Sequence, residues 1–356
     1  MSRALKDVAL VALLGVLVAS AAQGRTWLLG GAVLLLVLAR AAFAHRAGAA
    51  RAVTALAPCL AGLAVLGLTL QTVGVVVNGD LGRSAGFLPH ANTAAATTLA
   101  LWTLLVVTGS QIASGGGPAA AAWRGALVAG SVASGLLLLA AGSRSLLLGL
   151  LLGIVVAVSV RRGRPSWRRT LPRLGVAVAA LCAGLVAIAR LRPDVDSVLG
   201  SFERGPIFST ALGIAALSPW TGLGDGAWTR WAPVVEPSLP LAAAVHTHSV
   251  LLEALVCGGA VGLAATLVLF ALGARRLLTQ QLEHGSLAGG ALVVGVVALT
   301  VQGLVDLAVL YPGVYAPLVL AAASWDVTQG ARTRARKERG HGEQRVQREP
   351  ADAASD

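Results

Sequence analysis

Charge is what this sequence has least of for its length. Asp, Glu, Lys and Arg make up 12% of its 356 residues, against an apolar share of 56% and a mean hydropathy of +0.77. That scarcity excludes an ordinary soluble chain, which at this length would form roughly two or three domains. Cysteine is nearly absent too. Cys59, Cys182 and Cys257 each fall inside an apolar stretch with no metal or redox spacing between them, so they are expected to be small core hydrophobes. No repeat of fixed period is present, nor the inverted repeat that marks many transporters. The first apolar run lacks a cleavage site, so it is expected to be a span rather than a signal peptide.

What is present is long uncharged runs of Leu, Val, Ala and Gly, the mark of a polytopic α-helical membrane protein. About ten spans are expected, over 8–22, 27–44, 52–77, 94–113, 125–141, 145–160, 174–191, 249–273, 287–309 and 312–326. The net charge of +12 raises the question of nucleic acid, but the cations sit in short loops and in the tail, where they set topology instead. With the N-terminus in the cytoplasm, inside segments hold Arg3, Lys6, the cluster from Arg161 to Arg173, Arg275, Arg276 and the basic tail. Only Arg25, Arg83, Arg144, Arg190, Arg192, Arg204 and Arg230 of the 28 Lys and Arg residues then face outward. This asymmetry predicts an all-α transmembrane bundle, N-in and C-in, over residues 1–331, with a larger extracytoplasmic loop at 192–247. The basic loop 161–173 is expected to anchor on anionic membrane lipids, and 332–356 is read as a disordered charged cytoplasmic tail.

The outward arginines are the informative subset, because topology disfavours them on that face. Arg144 sits in Gly142-Ser143-Arg144-Ser145, a hairpin with almost no loop, where desolvation would strengthen its grip on phosphate. Taken alone, a snorkelling helix end is the better explanation of it. Arg204 beside Glu203, and Arg83 ahead of Gly86, Phe87, Pro89 and Asn92, each have a similar plain reading as surface residues. Three on one face, together with a histidine cluster, point to an anion site.

That cluster is His246 and His248, at the mouth of the apolar run that follows Ser249 and Glu253. Two histidines without a third ligand make a poor metal site, whereas imidazole suits a general base near neutral pH. The turn Pro219–Gly226, with Gly222 and Gly224, lets backbone approach a ligand but lacks the lysine of a phosphate loop. Trp220, Trp228 and Trp231 are either sugar platforms or interfacial anchors. Asp306, deep in an apolar run after Gln302, is an acidic residue expected to bind substrate or to partner an arginine or His248.

These pieces resemble the O-antigen ligase family. His248-Ser249, nine residues, Gly259, two residues and Gly262 is similar to its His-[Asn/Ser/Gln]-x9-Gly-x-x-Gly signature, and Arg144 with Leu148 to its Arg-x3-Leu motif. Arg204, Ala211, Pro219, Gly222, Gly224 and Gly226 resemble its large outer loop. Arg83 to Asn92 resembles its early outer loop, with His90 and Ala91 interrupting the usual Pro-Asn pair. The set spans about 83–312 in the family's order.

The resemblance implies a GT-C-like membrane glycosyltransferase of the cell inner or plasma membrane, using neither metal nor other cofactor, with its site on the extracytoplasmic face. The donor would be a glycan on undecaprenyl pyrophosphate and the acceptor a glycan or lipid hydroxyl, transferred by a ligase or polymerase of surface polysaccharide. Arg144 and Arg204 would hold the pyrophosphate and His248 would deprotonate the attacking hydroxyl, inverting the anomeric centre. Arg83, His246, Gly222, Gly224 and Asp306 complete the expected substrate-binding set. A transporter or flippase for a lipid-linked anionic glycan is the alternative, in which the same arginines bind without catalysis. A non-catalytic scaffold would need neither Arg144 nor His248.

Overall fold

The computed structural model describes residues 49–78, 85, 87–88, 90–114, 117–161, 204–239, 247–284, 286–304, 306–307, 314–325 and 328. Among these residues every regular element is helical. The bundle contains α1 (Ala49–Asn78), α2 (Ala91–Ala113), α3 (Pro118–Ala141), α4 (Arg144–Arg161), α7 (Val250–His284), α8 (Leu287–Gly303) and α9 (Val314–Trp325). Two shorter helices, α5 (Arg204–Leu217) and α6 (Ala227–Val235), lie between α4 and α7 in sequence. Windows within α1, α2, α3 and α7 are long and apolar enough to cross a membrane: Leu56–Asn78, Ala91–Ala113, Pro118–Ala141 and Val250–Arg275.

Seven of the expected spans therefore coincide with helices. The spans at 8–22, 27–44 and 174–191, and the tail 332–356, lie outside the described residues. The span expected at 287–309 ends earlier, as helix α8 stops at Gly303. The stretch expected as a loop at 192–247 also holds, in its described residues, more regular structure than its composition suggests. Residues Gly205–Leu217 form an apolar helix that buries Ile207, Ala211 and Ile214 against Trp228 and Ala232 of α6 and Val256 of α7.

The bundle is apolar on its outside as well as in its core. On α1, Leu63, Leu66, Leu70 and Val77 are exposed at helical spacing, as are Val128, Val132, Leu136 and Leu139 on α3. In water such stripes would be hidden; facing hydrocarbon they cost nothing. Cys59 is on this outward side, contrary to its expected core position, while Cys257 is buried as expected.

Where helices meet, small residues let the backbones approach. The helix α2 is the central element, packed on α1, α3 and α8, and it buries Ala94, Ala95, Ala96, Leu99 and Ala100 almost completely. The helices α4 and α8 cross antiparallel at the glycines of α4. A Cβ on Gly149 would sit 2.6 Å from Ala298 Cα, and one on Gly153 would sit 2.9 Å from Val294 Cα. Some buried hydroxyls are satisfied within their own helices, as when Thr103 donates to Leu99 O at 2.8 Å and Thr108 to Leu104 O at 2.7 Å, whereas those of Thr97, Ser143 and Ser159 have no hydrogen-bond partner.

One core layer fixes which helix ends lie together. Ala95 and Leu99 of α2, Leu138 and Ala141 of α3, Leu146 of α4, Ala298 and Leu299 of α8, and Val314 of α9 form a single cluster. The starts of α2, α4 and α9 and the ends of α3 and α8 thus share one end of the bundle.

Candidate active site

The hairpin between α3 and α4 is as tight as its sequence suggests. Gly142 ends α3 with φ 61°, a left-handed cap whose N–H bonds back to Leu138 O, and α4 starts two residues later at Arg144. Extending the Gly149–Ala298 pairing by one turn sets Ser145 opposite Gln302, and so brings the Arg144 backbone level with Gly303.

Three polar side chains gather at this end. Asn92, in the first turn of α2, donates from Nδ2 to Asp306 Oδ2, just past the end of α8. Gln302, fully buried, donates from Nε2 to Asn92 O at 3.0 Å and leaves its Oε1 without a hydrogen-bond partner. Asp306 is thus tied to the start of α2 through Asn92, a partner that the sequence did not suggest for it. Its chain separation from Asn92, more than two hundred residues, hides such a contact from any local pattern.

The helix α7 opens with a second construction. Ser249 caps its first turn, its Oγ accepting from Leu252 N at 3.4 Å while its carbonyl accepts from Glu253 N at 2.8 Å. Immediately before it, His248 is half-buried and has φ 54°, the only non-glycine left-handed residue among those described. That conformation costs a residue with a Cβ roughly 1–2 kcal/mol, so neighbouring contacts must hold it. Beside it lies fully buried Thr247, whose hydroxyl is 2.9 Å from Glu253 Oε2 and 3.0 Å from Ser249 O, and accepts from Ser249 N at 3.5 Å.

Eleven residues beyond His248, the helix breaks at Gly259, with φ 60° and ψ −158°, a region open essentially to glycine alone. An unbroken helix would bond Ala260 N to Val256 O and Val261 N to Cys257 O. The 219–224 loop replaces both partners of both bonds. Leu223 N donates to Val256 O at 3.0 Å and Gly224 N to Cys257 O at 3.0 Å, while Ala260 N donates to Pro219 O at 2.7 Å and Val261 N to Trp220 O at 3.2 Å. The four backbone groups of these two lost bonds are therefore all satisfied.

This interlock explains the glycines. A Cβ on Gly222 would lie 2.4 Å from Cys257 C and O, and one on Gly259 would lie 2.4 Å from Trp220 C. The Cβ position of Gly222 is closed by helix backbone, whereas that of Gly224 (φ 76°) is open, with nothing within 4 Å. Arg230 fastens the loop: its Nη2 donates to Leu223 O at 3.2 Å and Asp225 O at 3.1 Å, and its Nε to Gly226 O at 3.3 Å. It was noted in the sequence only as an outward charge. Of the three tryptophans, Trp228 is core with its indole N–H unpartnered, and Trp220 is 73% exposed beside the break.

The remaining expected residues divide plainly. Arg204 is the first residue of α5, and α5 packs on α7. Arg83 and His246 lie outside the described residues. Among the described residues no three or more His, Cys, Asp or Glu side chains group as metal ligands do.

No curated protein matches the chain. A family model does, over residues 129–267, a stretch that runs from the middle of α3 through α4, α5, the Gly222 loop and α6 to just beyond the break in α7. It takes in Arg144, Arg204, Gly222, Gly224 and His248 and leaves out Arg83, Asn92 and Asp306. The family is described as O-antigen ligase, so the resemblance read from Arg144, the outer loop and the His248–Gly262 signature is borne out over residues 129–267.

Proposed function

We propose that the protein is an O-antigen ligase- or polymerase-type glycosyltransferase of the inner or plasma membrane, moving a glycan from undecaprenyl pyrophosphate to an acceptor hydroxyl on the extracytoplasmic face. The observation that supports it best is His248, held left-handed at the mouth of an apolar helix inside the segment that matches the family. Backbone strain at a titratable residue is characteristic of sites that do chemistry.

In this reading His248 removes the proton from the acceptor hydroxyl as its oxygen bonds the anomeric carbon. The bond from that carbon to the pyrophosphate oxygen breaks on the opposite face, so the configuration inverts. The pyrophosphate leaves as an anion held by Arg144, Arg204 and Arg83, whose guanidinium groups stabilise the developing charge in a water-poor boundary. Asp306 and His246 contact the acceptor, Gly222 sets the loop against α7, and Gly224 presents its open face to the donor. No metal or other cofactor enters these steps.

The test is transfer by the purified protein from an undecaprenyl-pyrophosphate glycan, with His248→Ala and Arg144→Ala alongside wild type. Wild-type product, lost by about 100-fold or more in both variants, is the expected result. The product's length separates one transferred unit from many. Donor binding by wild type with no acceptor ever glycosylated would sink the transferase and leave a carrier of lipid-linked glycans.

A further inference from the structure

We infer that Thr247 and Glu253 are positioning residues that hold His248 in its left-handed conformation, and so set the direction from which its imidazole meets the acceptor; this rests on His248 being the base.

The start of α7 is already capped without them. Ser249 supplies the side-chain acceptor for Leu252 N and the carbonyl for Glu253 N, which completes an ordinary helix N-terminus. The Thr247 hydroxyl does something else. It accepts from the N–H of the residue after His248 and lies within hydrogen-bond distance of that residue's carbonyl and of Glu253 Oε2. The residues on both sides of His248 are therefore tied to one buried oxygen, and that oxygen is tied to the helix. Closing so short a ring restrains the backbone at His248 and helps hold a residue with a Cβ at φ 54°.

One hydroxyl proton faces two acceptors, Glu253 Oε2 at 2.9 Å and Ser249 O at 3.0 Å, and the carboxylate is the stronger. Glu253 is itself fixed. It stands in the first turn of α7, where the helix dipole favours an anion, and its Oε1 accepts from Cys257 Sγ at 3.6 Å. Cys257 is the residue whose carbonyl takes the Gly224 N–H, so the interlock of loop and broken helix lies one turn from this carboxylate. The chain of contacts runs from the Gly222–Gly224 loop through Cys257 and Glu253 to Thr247 and the backbone of His248. The nine residues between Ser249 and Gly259 in the signature are then the helical segment between the histidine's turn and the break.

The role belongs to the hydrogen bond rather than to the charge, and this separates the variants. Thr247→Val keeps the shape and removes the hydroxyl; Thr247→Ser restores it. Glu253→Ala removes the acceptor; Glu253→Gln keeps one. We expect Thr247→Val and Glu253→Ala each to lower kcat about 10- to 100-fold, with KM for donor and acceptor within about twofold of wild type. Thr247→Ser and Glu253→Gln should stay within about threefold of wild-type kcat, and the double variant Thr247→Val, Glu253→Ala should lose no more than the worse single one.

The measurement is steady-state transfer from an undecaprenyl-pyrophosphate glycan by full-length protein in detergent or nanodiscs, with folded fraction and Tm recorded for each variant. If Thr247→Val does not fold, Glu253→Ala cuts the same bond from its other end and is read the same way. Wild-type kcat in folded Thr247→Val or Glu253→Ala overturns the proposal, as does Thr247→Ser being as deficient as Thr247→Val. A wild type with transfer unaffected by His248→Ala removes the base instead, and that result is distinct because it does not depend on either position.

Discussion

The two halves of this molecule solve opposite problems. In the bundle of α1–α4 and α8, backbone hydrogen bonds stay within each helix, and specificity comes from small residues that let helices touch, as Gly149 and Gly153 do against Val294 and Ala298. Between Gly222 and Gly259 five of the described residues take a positive φ, namely Gly222, Gly224, Gly226, His248 and Gly259, and one segment's backbone bonds to another's. Backbone polar groups left unpaired in a low-dielectric setting are costly, and here the loop replaces both partners of the two bonds, from Ala260 N and Val261 N, that the broken helix gives up. A regular bundle supplies stability; the interlocked region supplies a fixed, strained display of one histidine.

That comparison can be broken most forcefully at Gly259. Gly259→Ala puts a Cβ 2.4 Å from Trp220 C and forces a backbone costing on the order of 1–3 kcal/mol. Transfer should fall by about 100-fold or more, while thermal unfolding of the bundle, followed by circular dichroism, stays near wild type. A drop in Tm as large as the bundle variant below would mean that the two halves unfold as one unit. Gly149→Val tests the bundle: its side chain would drive α4 from α8 and destabilise by about 1–3 kcal/mol, read as a lowered Tm and a lowered folded yield. Little change would show that the crossing has room to open. The smallest effect is expected at Gly62, an outward helical glycine of α1 with nothing within 4 Å of a Cβ. Gly62→Ala should leave transfer unchanged and raise stability by up to about 1 kcal/mol; a loss of activity there would reveal a partner on that face.

Much of the bundle was legible because its cause is local. Hydropathy run by run places helices at 52–77, 94–113, 125–141, 145–160 and 249–273, and the described helices differ from these mainly at the ends, the last continuing to His284. The α3–α4 hairpin was equally legible, since Gly142 is the residue a left-handed cap requires. The end of α8 and the helix α5 were misjudged for one reason: short apolar stretches near an interface are settled by what they pack on, here Trp228 and Val256 for α5. For the site, the signature identified the segment but not its construction. Gly222 and Gly224 read alike in sequence, yet one is closed by the α7 backbone and the other open. Thr247 carried a weak signal, a hydroxyl two residues before a serine cap with a carboxylate six residues on, which only contact distances turn into a hub.

The sequence by itself determined that this is an apolar chain, helical throughout its described residues, where most of those helices run, and that residues 129–267 resemble the O-antigen ligase family, because hydropathy and motif spacing are properties of neighbours along the chain. The tertiary structure alone decided that Asn92 meets Asp306, that Arg144 begins a helix level with the end of α8, and that the broken α7 is completed by a loop some forty residues upstream. Those pairings join residues far apart in sequence through backbone groups that every residue carries, and such groups leave no mark in the order of side chains until the fold brings them together.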